Sequence, residues 1–150
     1  MEANAIFTNR ALLAAITAWT LAQALKVFTT YWRSRKWDWV QLLRPGGMPS
    51  SHAALVCGLG HAVGLYWGFA SPLYAIAFVL AMIVVYDAAG VRRQAGRHAS
   101  IINKMIDDLA AGHPLKSEQL MEVLGHTPLE ITGGIILGLA VAQAFYWVWP

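Results

Sequence analysis

Four long apolar stretches, separated by short polar segments, dominate this chain of 150 residues. They run over about residues 6–31, 51–69, 73–90 and 129–149, and each approaches the roughly 20 residues that carry a helix across a bilayer. Backbone in lipid must satisfy its own N–H and C=O groups, so stretches of this kind fold as helices. Hydrophobic residues make up 57% of the chain and charged residues 13%, against about 25% charged in an average soluble protein. A soluble fold of this size has too little interior to hide that much apolar surface. The expectation is an all-α integral membrane protein. It would be a single domain over residues 1–150, a bundle of about four transmembrane helices, in the cytoplasmic membrane if the source is bacterial. Much of the tryptophan lies near segment ends, as it does at membrane interfaces. The first stretch does not read as a cleavable signal: it has no basic n-region before a short apolar core, and it carries Gln23 and Lys26 near its end. Cys57 is the only cysteine, so no intrachain disulfide is expected. A net charge of +3, scattered along the chain, gives no reason to expect a nucleic-acid partner.

The polar segments are unequal. Stretches two and three are joined by the uncharged turn Ala70-Ser71-Pro72, whereas residues 32–50 carry Arg33, Arg35, Lys36 and Arg44. Residues 91–125 carry Arg92, Arg93, Arg97, Lys104 and Lys116 among four acids. Within that longer segment Ile101, Ile102, Met105, Ile106 and Leu109 fall on one helical stripe, which predicts an amphipathic helix lying on the membrane surface or capping a site.

With four spans, the end of the first, the start of the second, the end of the third and the start of the fourth share one side. Nearly all ionisable residues gather there: Lys26 and Arg33, then Ser50, Ser51 and His52, then Asp87, Arg92 and Arg93, then His126 and Glu130. Ionisable groups in membrane segments are costly and usually functional. Bland roles are also available. Lys26 and Arg33 can snorkel to the headgroups. Ser50 suits a helix N-cap, and Glu130 a first-turn acid complementing the helix dipole. Asp87 lies inside an apolar run and needs a partner, for which Arg92 or Arg93 is the candidate. His61 and His113 are set aside as structural.

His52 and His126 each stand at the mouth of a helix, where free backbone N–H groups and the dipole favour an anion. Two imidazoles at an anion site suit phosphoryl transfer, in which one attacks phosphorus and the other protonates the leaving oxygen.

Three motifs carry a resemblance. Lys26 and Arg33 form Lys-x6-Arg, followed by Ser34. Pro49-Ser50-Ser51-His52 reads Pro-Ser-x-His. His126-x3-Glu130 is flanked by Pro128 and Gly134. Over about residues 20–140 the chain resembles the type 2 phosphatidic acid phosphatase superfamily, which includes lipid phosphate phosphatases and vanadium haloperoxidases, and specifically its short divergent branch. That superfamily has Lys-x6-Arg-Pro, Pro-Ser-Gly-His and Ser-Arg-x5-His-x3-Asp. Here Ser34, Ser51 and Glu130 replace its Pro, Gly and Asp. The arginine of the third motif is displaced to Arg92-Arg93, about thirty residues upstream of His126. The rival reading Arg92-x5-His98 meets Ile102 where an acid belongs, so His126 is preferred.

The resemblance implies hydrolysis of a lipid phosphate, a phosphomonoester or diphosphate, through a phosphohistidine. His126 would attack, with Glu130 holding its imidazole. His52 would be the general acid and then the base. Lys26, Arg33, Ser51 and one or both of Arg92 and Arg93 would bind phosphate, supported by Asp87 and Ser50. Such a cation clamp stands in place of a metal, so neither metal nor cofactor is expected. Lipid identity stays open among phosphatidate, phosphatidylglycerophosphate and polyprenyl phosphates or diphosphates.

Other readings stand beside this one. A non-catalytic headgroup-binding or scaffold protein would keep the fold without turnover. Asp87-Ala88-Ala89-Gly90-Val91-Arg92 faintly resembles the start of the CDP-alcohol phosphotransferase motif, but its later Gly-x3-Asp-x3-Asp is absent. Haloperoxidase activity is not expected of so small a lipid-embedded site. Gly58, Gly60 and Gly64 would allow close helix contacts, which makes a homodimer an expectation. The basic segments place the site on the cytoplasmic side by the positive-inside rule.

Overall fold

The computed structural model describes residues 5–42, 46–89, 91–110 and 126–150, with backbone alone at 91–97, 108 and 110. Among the described residues there are six α-helices, one 3-10 turn and no strand: α1 (Ala5–Thr8), α2 (Arg10–Ser34), the 3-10 turn Trp39–Leu42, α3 (Ser51–Trp67), α4 (Pro72–Ala89), α5 (Val91–Ala110) and α6 (Pro128–Val148).

Three of these helices, α2, α4 and α6, are long and apolar enough to cross a membrane. The second expected span, α3, has 17 residues and is about 26 Å long. It is the central element, packed against α2, α4 and α6. The expected first stretch begins later than the apolar run suggests. Asn9 interrupts it, and its side chain caps α2 by accepting from the Leu12 N–H at 3.1 Å. At the other end Arg35 takes a left-handed conformation with φ of 56°, and its N–H bonds the Tyr31 carbonyl.

Small residues build the interior. Ala11, Ala14, Ala15, Ala18 and Ala22 form the buried stripe of α2, and Ala53, Ala54, Ala62 and three glycines form that of α3. Lipid tails are as apolar as leucine, so close van der Waals approach rather than water exclusion drives such packing. Gly138 of α6 lies against α3 backbone. A β-carbon there would come 2.5 Å from the Ala54 carbonyl oxygen and 2.8 Å from the Gly58 nitrogen. At Gly134 it would overlap the Ser50 carbonyl oxygen.

The glycines expected to allow close helix contacts make such contacts within the chain. Gly58 meets Ala18 and Gly138, Gly60 faces Ala77, and Gly64 lies under the Phe69 ring, all within the chain.

Large side chains point outward instead: Leu21, Leu25, Phe28, Ile76, Val79, Met82, Ile83 and Ile136 are exposed. Tryptophans mark both ends. Trp32, Trp37 and Trp39 are exposed at one, and Trp67, Trp147 and Trp149 at the other, as interfacial belts require. At the second end the Arg10 guanidinium lies over the rings of Tyr66 and Trp149 and bonds the Pro150 carbonyl.

Candidate active site

Lys26 continues the buried alanine stripe of α2. Residues 11, 15, 18, 22 and 26 share one helix face, so the geometry that packs the alanines on α3 also carries the lysine inward. Lys26 is 1% exposed and does not snorkel; its Nζ donates to the Ser51 Oγ at 3.1 Å. The loop preceding α3 closes over the lysine stem. Gly46 and Gly47 have φ of 95° and 83°, a region that favours glycine. A β-carbon at Gly47 would lie 3.6 Å from the Lys26 Cγ. Thr29, one turn after Lys26, fixes the same loop by donating to the Met48 carbonyl at 2.6 Å.

Ser50 caps α3, accepting from the Ala53 N–H, and is fully buried. Its own N–H donates to the Glu130 carbonyl at 2.8 Å. The mouths of α3 and α6 are thereby joined. His52 and His126 face each other across the join with ring centroids 6.3 Å apart.

His126 is 4% exposed, and its Nδ1 lies 3.2 Å from the Glu130 Oε2. That same oxygen accepts from the Thr127 N–H, while the Thr127 hydroxyl accepts from the Glu130 N–H. Glu130 therefore serves the capping box of α6 and the imidazole together.

Asp87 is half-buried near the end of α4. Its neighbour Ala88 packs with Ala53, beside His52, and Ile131, beside Glu130. The ends of α2, α3, α4 and α6 thus meet at one level, as their polar residues predict. The side chains of Arg92 and Arg93, and residues 111–125 with Lys116 and His113, lie outside the described residues. So does Arg44.

Arg33 stands at the outer edge of the site. It shares a face with Lys26 but stands two turns, about 10.5 Å, further along the axis. It is exposed and lines a cavity of about 340 Å³ with Thr29, Trp32, Met48, Thr127, Leu129 and Glu130, which borders the His126–Glu130 pair. Among the described residues no group of three or more His, Cys, Asp or Glu side chains is arranged to hold a metal.

The contributions of Thr29, Gly47 and Thr127 are not apparent from the motifs alone. For Thr29 a signal exists, since it lies three residues after Lys26 on the same face. His61, set aside as structural, pairs with Gln143 of α6 at 3.1 Å. It lines a mostly apolar cavity of about 320 Å³ between α3, α4 and α6.

A family model for the divergent PAP2 family matches residues 7–141. The chain belongs to that family. The resemblance carried by Lys26–Arg33, Ser50–His52 and His126–Glu130 is borne out at this level. The divergent PAP2 chain is also 39% identical over 155 aligned positions to the uncharacterized membrane protein YuiD of Bacillus subtilis (strain 168). That match covers 93% of this chain and 98% of the relative. Together with the three apolar helices it supports a membrane location. No solved structure matches the chain.

Proposed function

We propose that this chain is a lipid phosphate phosphatase that works through a phosphohistidine on His126. The observation that carries the reading is the facing of the His126–Glu130 pair and His52 at 6.3 Å between ring centroids, close enough for one phosphoryl group to touch both. With Nδ1 held by Glu130, Nε2 of His126 is the attacking nitrogen. Its bond to phosphorus forms as the bond to the lipid oxygen breaks, and His52 gives its proton to the leaving alkoxide. In the second half, His52 takes a proton from water, the water oxygen attacks phosphorus and the N–P bond breaks to release phosphate.

Lys26, presented beside Ser51, stabilises charge on the equatorial oxygens, together with N–H groups at the start of α3. Arg92 and Arg93, at the start of α5, supply the displaced arginine, with Asp87 as its orienting acid. Arg33 meets the outer part of the headgroup from the cavity that Glu130 also lines. The cavity between α3, α4 and α6 gives the lipid tail a place level with Cys57 and Val85, so the substrate enters sideways from the bilayer. A larger cavity of about 360 Å³ near Asn9 and Trp67 lies at the far end and holds none of these residues.

The test is phosphate release by purified protein from a panel of phosphatidate, phosphatidylglycerophosphate and polyprenyl mono- and diphosphates, with His126→Ala as control. Release from at least one lipid, abolished in the variant, supports the reading. Binding of these lipids without release supports the non-catalytic headgroup reading instead.

A further inference from the structure

The helix α5 carries an apolar stripe that protein leaves uncovered. Ile101, Ile102, Met105 and Leu109 are exposed, Leu109 at 80%, and at about 100° per residue they span an arc of only about 100°. Asn103, on the opposite side of the helix, is buried at 5%. A helix resting on a soluble protein shows the reverse arrangement, with its polar side outward. The helix that carries the stripe follows directly on a helix fit to span the membrane. Only one residue separates α5 from α4, whose last turns expose Met82, Ile83 and Tyr86. Of the basic residues of α5, Arg97 and Lys104 are not assigned to the phosphate site, and both are available to anionic headgroups.

We infer that α5 lies in the plane of an anionic bilayer surface, with Ile101, Ile102, Met105 and Leu109 in the boundary between headgroups and acyl chains. Lys104 reaches up among the headgroups, and the side of Asn103 and Asp107 faces away from the lipid. Continuity with α4 favours the bilayer over a second copy of the chain as occupant, because α5 starts one residue after a helix fit to span the membrane and so leaves from the bilayer surface. The inference is independent of any catalytic activity.

The experiment uses the full chain in phosphatidylcholine vesicles with and without phosphatidylglycerol. Fluorophores are placed singly at Ile102→Cys, Met105→Cys and Lys104→Cys in a Cys57→Ser background. At 102 and 105, lipids with a nitroxide just below the headgroup should quench at least severalfold more than aqueous iodide. At 104 the order should reverse, and phosphatidylglycerol should deepen the difference in a salt-sensitive way. Iodide quenching at 102 and 105 equal to that at 104 overturns the inference. So does shielding from both quenchers with label-to-label proximity, which assigns the face to a second copy. Hydrogen exchange on the unmodified protein gives a second readout. Amides of residues 101–109 should exchange severalfold more slowly in vesicles containing phosphatidylglycerol, and equal rates in both vesicles contradict the proposal.

Discussion

The Ser50 N–H donates to the Glu130 carbonyl across 2.8 Å, binding the mouth of α3 to the mouth of α6. Directly behind this bond Gly134 lets the two backbones touch. Gly134→Ala places a methyl group against the Ser50 carbonyl oxygen, which is backbone and cannot rotate away. The expected cost is about 1–3 kcal/mol of stability, with a loss of activity as the two histidines part. Gly60→Ala serves as control, since its β-carbon would lie an ordinary 3.8 Å from the Ala77 carbonyl oxygen. Thermal unfolding in detergent, together with phosphate release, checks both variants.

Lys26 gives a prediction in which stability and activity diverge. Burying an ammonium carries a desolvation cost of several kcal/mol that an apolar chain of similar length avoids, whereas losing its hydrogen bond to Ser51 costs about 1–3 kcal/mol. Lys26→Met should therefore leave the unfolding temperature unchanged or raise it. Removing a cation from the developing phosphoryl charge should lower kcat by about 10²–10³-fold. A destabilised variant with full activity would show that Lys26 is only a structural hydrogen-bond donor to Ser51.

Glu130 has two separable duties. In Glu130→Gln the side-chain amide can keep an acceptor for the Thr127 N–H, so the capping box survives in part. The charge that supports an imidazolium is lost. Activity should fall by about 10³–10⁴-fold while helix content by circular dichroism stays unchanged. Equal loss in His98→Ala, with His126→Ala active, would move the third motif to residues 92–98.

Much of this site can be read from the chain, for a physical reason. In a bilayer a charged residue needs a partner, so Lys26, Asp87, His126 and Glu130 point to one another by topology alone. The buried cap at Ser50 and the turn between Glu130 and His126 follow from local spacing. Arg33 shows the limit. Its spacing from Lys26 fixes a helix face but not a depth, and two turns carry it to the exposed rim of the cavity that Glu130 lines. The glycines of α3 show another. Their pattern says that something approaches closely, and only the fold shows that α2, α4, α6 and Phe69 do so.

Side-specific labelling tests the orientation. The basic residues Arg35, Lys36, Arg97, Lys104 and Lys116 outnumber Arg10 on the opposite side, so the site should face the cytoplasm. In a Cys57→Ser background, an impermeant thiol reagent on intact cells should label Ser71→Cys and spare Lys116→Cys. The reverse pattern places the site outside.

The most direct measurement is a trapped phosphoenzyme. Purified protein mixed with a lipid substrate from the panel, labelled at its phosphate and quenched in alkali within one turnover, should retain label on the peptide containing His126. The label should be stable in base, labile in acid and absent from His126→Ala. In His52→Ala it should persist longer after substrate is exhausted, because water activation is slowed. Phosphate release without any base-stable label, or label that survives in His126→Ala, would contradict the account.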